Sequence, residues 1–182
     1  MADNFLEKQM EDFRSGRLGR PAPRRGGAPA GPLSGSARIL AVCPGVEFAE
    51  PVLEALSGSG AKVAAAISAS REATALTQRF GVRFYPLTSP MEPERLEAII
   101  TDLERQWRGV SLIVTGGMLL SHPTIPVIRV DGLPSAALGA ALVAMALYAL
   151  SPHSQPATFT APSMTLTLTT VATAGNVTPI TN

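Results

Sequence analysis

At 182 residues and a formal net charge of +1, the chain is long enough for one well-buried domain plus appendages and too short for two. Apolar residues make up 46% and charged residues 16%, which excludes a mostly solvated, disordered chain, and the near-neutral balance gives no global reason to expect nucleic acid. The single cysteine, Cys43, rules out an internal disulfide and leaves too few thiols for a zinc site, so a reducing, cytoplasmic setting is expected.

Residues 1–15 carry Asn4 with Glu7 three positions on, the spacing of a capping box, and Phe5, Leu6, Met10 and Phe13 share one side. This is an amphipathic helix too short to be stable alone, expected to pack on the domain or on a second subunit. Residues 16–36 are a Gly/Pro/Arg linker. Its arginines have no interleaved aromatic residue, which favours a solubilising segment over a nucleic-acid arm.

A βα alternation follows. Strand-like runs fall at Arg38–Cys43, Lys62–Ile67, Arg83–Leu87 and Val110–Thr115, with helical patterns near Glu47–Ser57, Ser70–Phe80 and Glu92–Trp107. In the last of these Leu96, Ile99, Ile100, Leu103 and Trp107 recur at helical spacing and form a buried face. The alternation implies an α/β, Rossmann-like three-layer fold with a mostly parallel sheet and right-handed crossovers over 37–150.

After Thr115 the pattern changes, because the segment before the strand-like run Pro126–Asp131 is short for a helical crossover. Residues 133–150 are apolar or small throughout, at the lower edge of a membrane span. The Ala/Gly content, Pro134 in a first helical turn and an abutting Asp131-Gly132 without aromatic or basic anchors favour a buried or subunit-interface helix. Residues 151–182 form an uncharged Thr/Ser/Pro-rich extension. Within it Met164–Val171 alternates apolar residues with threonine, as an added edge strand would. A disordered tail or an altered reading frame are the competing readings.

Phrases such as RILAV, VLEALSGSGAKVA, GVRFYPL and LEAIITDLERQWRGVSLIV make Arg38 to Gly117 resemble the first half of a short-chain dehydrogenase/reductase. The leader NFLEKQMEDFRSGR is similar to that of bacterial members. The resemblance implies a dinucleotide site in the first turn, where the family carries Thr-Gly-x-x-x-Gly-x-Gly. Here the turn reads Val42, Cys43, Pro44, Gly45, Val46, Glu47, Phe48, Ala49, so only Gly45 remains and Glu47 and Phe48 oppose a bound pyrophosphate. The acidic ribose reader is replaced by Ile67 and Ser68, with Arg71 further on, and the Asp after the third strand by Thr88. The fourth strand ends Thr115, Gly116, Gly117 in place of Asn-Asn-Ala-Gly.

The family's Tyr-x-x-x-Lys pair is missing: Tyr85 and Tyr148 are followed four positions on by Ser89 and Pro152, and the only lysines are Lys8 and Lys62. No catalytic acid is nominated. His122 and His153 have no accompanying carboxylate cluster, so no metal site is expected. His122-Pro123 reads as a turn, and Cys43 as a buried small hydrophobe.

The expectation is a degenerate member of this family, a catalytically silent scaffold or interaction module without cofactor, forming a homo-oligomer through the N-terminal helix and 133–150. One alternative is a divergent NAD(P)-dependent oxidoreductase holding NAD or NADP through Gly45, Arg71, Thr115 and Gly116. The other is a membrane-anchored accessory protein using 133–150.

Overall fold

A computed structural model describes residues 31–33, 37–87, 92–132 and 136–170. The N-terminal helix expected over 1–15, all of the linker expected over 16–36 except residues 31–33, Thr88, Pro134 and the tail beyond 170 lie outside the described residues. Seven strands and four helices are present among the described residues. They are β1 (Arg38–Cys43), α1 (Val46–Ser57), β2 (Lys62–Ser68), α2 (Arg71–Phe80), β3 (Arg83–Leu87), α3 (Pro93–Trp107), β4 (Leu112–Gly116), β5 (Val127–Gly132), α4 (Leu138–Ala149), β6 (Ala157–Ala161) and β7 (Met164–Thr169).

One sheet holds all seven strands in the order β3-β2-β1-β4-β5-β7-β6. The first five are mutually parallel, while β7 pairs antiparallel with both β5 and β6. The sheet centre is apolar on both faces, as a parallel sheet requires. Ile39, Leu40, Ala41, Val42 and Cys43 of β1 are all buried. On the first face Ile39, Ala41 and Cys43 meet α1, α2 and α4. On the second, Leu40 and Val42 meet α3 through Leu96, Ile99, Ile100 and Leu103.

Local chemistry sets the helix ends. Ser70 caps α2 by accepting from the Ala73 N–H at 3.0 Å, and Gly81, with φ of +64°, ends it in a left-handed conformation. Pro93 opens α3, where its missing N–H costs nothing. Arg108 ends α3 with φ of +64°, a conformation that costs a non-glycine residue about 1–2 kcal/mol.

The C-terminal extension is part of the sheet, and β7 lies inside it rather than at its edge. Met164, Leu166 and Leu168 are buried under α4, while Thr165, Thr167 and Thr169 alternate onto the second face. Thr167 stands between Arg129 and Thr158, and Thr165 between Asp131 and Thr160. At the turn before β7, a Cβ on Gly132 would run into the Ser163 carbonyl, and its φ of +87° also demands glycine.

The β5-α4-β6 connection lies beyond the alternation for which right-handed crossovers are expected, and it differs from the first crossover. The β1-α1-β2 and β5-α4-β6 connections run in opposite directions across the sheet, yet both helices lie on the first face. They are therefore of opposite hand, and cannot both be right-handed. The physical reason is the apolar face of α4: Leu138, Leu142, Met145, Ala146 and Ala149 share one core with α1 and β7. On the second face of β5, Arg129 and Asp131 form a pair at 2.6 Å beside the threonine rows, leaving no comparable apolar seat.

Leu166→Ala should lower the stability of the whole domain by about 2–5 kcal/mol in one cooperative urea transition, whereas Thr167→Ala should change it by less than about 0.5 kcal/mol. A free-standing extension would make the two variants alike. Arg108→Gly should raise stability by up to about 1 kcal/mol in the same measurement.

Candidate functional site

In an open α/β sheet, ligands settle outside the carboxyl ends of the strands where the order reverses, which here is between β1 and β4. The four residues singled out from the sequence lie at the carboxyl ends of adjacent strands. Gly45 follows β1, Arg71 opens α2 after β2, and Thr115 and Gly116 end β4. Arg71 is exposed, while Thr115 is fully buried with its Oγ1 unpartnered.

Phe48 occupies the space between β1 and β4. A Cβ built on Gly116 would lie 3.1 Å from Phe48 Cβ and Cδ1, and one on Gly117 would lie 3.6 Å from Cζ. The two glycines thus give room to an aromatic ring of the chain itself. Gly117 also needs to be glycine for its φ of +63°.

The anion position at the start of α1 is filled in the same manner. A Cβ on Gly45 would come within 2.5 Å of Glu47 Oε1, so the carboxylate folds back beside the helix N-cap. The helix dipole stabilises a negative charge there, and the charge repels a phosphate seeking the same place. Because Glu47 is exposed, its flexible side chain can swing away; the Phe48 ring, half-buried against the core, is the firmer obstacle.

Cys43 sits at the base of this crevice, fully buried. Burial pushes its thiol from the ordinary 9.0 up to about 12, with the Gly116 backbone opposing that rise and the Glu47 charge adding to it. A protonated, inaccessible thiol is a packing group and not a nucleophile.

His122, read as a turn residue, does more. Its Nδ1 accepts from the Thr124 and Ile125 N–H groups at 3.2 and 3.1 Å, which leaves the proton on Nε2. That nitrogen lies 3.2 Å from Glu97 Oε1, and the His122 side chain is only 6% exposed against 59% for Glu97. The contact is long-range in sequence, and nothing in the local motif signals it. Both tyrosines are engaged elsewhere: Tyr85 donates to Asp102 at 2.6 Å, and Tyr148 Oη accepts from the Gln155 N–H at 3.1 Å. No group of three or more metal-ligating side chains occurs among the described residues.

Open cavities also lie at the other end of the sheet. Two, of about 400 and 490 Å³, adjoin the amino ends of β1, β2 and β3 and share Lys62 and Trp107. The sequence reading placed Trp107 in the core, and it does pack against the second-face core while also lining both cavities. The missed signal was the cation that opens each of the first three strands: Arg38, Lys62 and Arg83.

No helix among the described residues is long and apolar enough to cross a membrane, and α4 has only 12 residues. The chain matches no protein-family model, and no curated protein matches it significantly.

Burial raises the Tyr85 phenol from 10.0 to about 12, helped by the hydrogen bond to Asp102. Spectrophotometric titration at 295 nm should show this tyrosine ionising near pH 12. Cys43 and Tyr85 both have folded-state values above their unfolded ones. Their contribution to stability is therefore complete below pH 9.0 and is lost progressively toward about pH 12. Urea unfolding across that range should show the decline, and Cys43→Ala should delay its onset.

Proposed function

We propose that this chain is a short-chain dehydrogenase/reductase-like Rossmann domain that has exchanged its cofactor site for internal packing and works as a cytoplasmic scaffold or interaction module. The observation that carries this reading is Phe48 seated on Gly116 and Gly117, in the space a dinucleotide's pyrophosphate would need. The Glu47 carboxylate at the α1 N-terminus supports it, because two negative groups compete for one helix dipole. The divergent oxidoreductase would have to displace both side chains and find a proton donor outside the two engaged tyrosines.

Self-association is the second part of the proposal. Leu147 and Tyr148 of α4 are 45% and 42% exposed, large apolar groups on a helix whose other side is core. A shallow apolar depression of about 410 Å³ lies beside them, lined by Ala55, Gly139, Ala140, Val143, Ala144 and Leu147. Small side chains of this kind let a second helix approach closely, which suits a homo-oligomer.

Calorimetry with NAD and NADP, oxidised and reduced, should give no saturable heat at millimolar cofactor; micromolar binding with cofactor-dependent turnover would establish the oxidoreductase instead. Phe48→Ala combined with Glu47→Gln should open the crevice and raise any residual dinucleotide affinity by about tenfold or more, corresponding to about 1.4 kcal/mol. Sedimentation at micromolar concentration should show an oligomer that Leu147→Glu dissociates, and a monomeric wild-type chain would refute self-association.

A further inference from the structure

The parallel register of β1 and β2 sets Arg38 directly beside Lys62. Like charges in that position are destabilising neighbours. The Arg38 guanidinium donates to the Arg108 backbone carbonyl at 3.1 Å, and Arg38, Lys62 and Arg108 all line the 490 Å³ cavity around Trp107. The Lys62 ammonium stands 5.5 Å from the centre of the indole ring. None of the three forms an ion pair with a carboxylate among the described residues, whereas the nearby Arg83 pairs with Asp102.

The ordinary explanation is that these cations answer the carbonyls at the α3 C-terminus. A helix end carries only about half a negative charge, so three cations exceed that demand severalfold. Arg108 adds a second, independent oddity. It holds a left-handed conformation that glycine would occupy at less cost, and Gly109 follows immediately.

We infer that the amino-end cavity between Arg38, Lys62, Trp107 and Arg108 is a binding site for a small phosphate-bearing anion. Arg38 from β1, Lys62 from β2 and Arg108 from the end of α3 line one cavity, and two guanidinium groups with an ammonium are the donor set suited to the several oxygens of a phosphate or diphosphate group. The site lies across the sheet from the filled β1/β4 crevice and stands independently of the scaffold reading.

The test uses inorganic pyrophosphate with the full chain in 0.15 M sodium chloride on the order of physiological screening. Trp107 is the sole tryptophan, so its fluorescence reports from within the site. The expected result is saturable quenching or enhancement with a Kd below about 1 mM, weakened at least about tenfold by Lys62→Gln and by Arg108→Gly. Arg108→Gly keeps the backbone geometry, and a retained thermal unfolding transition separates lost binding from lost fold. The inference is overturned by no saturable change up to about 10 mM in both fluorescence and calorimetry, by unchanged affinity in both folded variants, or by citrate binding as tightly as pyrophosphate. Because inorganic pyrophosphate carries neither nicotinamide nor adenosine, failure here leaves the reading of the dinucleotide crevice untouched.

Discussion

Everything in this domain depends on hiding β1 from water on both faces. Ile39 through Cys43 have essentially no exposure, and such a strand persists only where a helical layer covers each side. The two layers are unequal: three helices lie on the first face and α3 alone covers the centre of the second. That inequality explains why α3 is the longest helix among the described residues and why Leu96, Ile99, Ile100 and Leu103 of its apolar stripe are buried. It also gives α3 command of both ends of the sheet. Its amino-terminal half carries Glu97 against His122, and its carboxyl end carries Trp107 and Arg108 among the strand-opening cations.

The same demand for dense packing explains the carboxyl-end crevice. A dinucleotide fold keeps glycines in the first turn so that backbone and ligand can touch. Here the glycines sit on β4, and the contact they permit is with Phe48. The Phe48 ring, half-buried against the core, packs on the Gly116 and Gly117 backbone at the carboxyl end of β4. Cys43 beneath it is correspondingly dry, and the rise in its pKa follows from that dryness.

Much of this was legible in the residues. The β1-to-α3 alternation reads cleanly because parallel strands are continuous apolar runs and the helices carry clear stripes, as with Lys62–Ser68 against Pro93–Trp107. The start of α4 was harder to place than its end, since a helix made of Leu, Ala and Val all round has no stripe to mark its bounds. Partners distant in sequence were beyond reach. The alternation in β7 announces a strand but does not say that it inserts between β5 and β6, nor which face α4 takes. Likewise, Gly116 reads as a ligand-facing glycine until the ring of Phe48 is found against it. The basic cluster at the amino end needed only the parallel register to be seen, because that register aligns the opening cations of successive strands.

The two outer strands differ in how they meet other molecules. At β3, Pro86 removes a donor and Arg83 places a charge on the rim, both of which discourage a foreign strand from adding to the sheet. At β6, the sequence Ala157–Ala161 has neither charge nor proline, and Phe159 stands 41% exposed. Among the described residues no strand pairs with its outward N–H and C=O groups, while the Thr158 and Thr160 side chains keep its second face polar. Among the described residues, the β6 rim is therefore the less guarded of the two sheet edges.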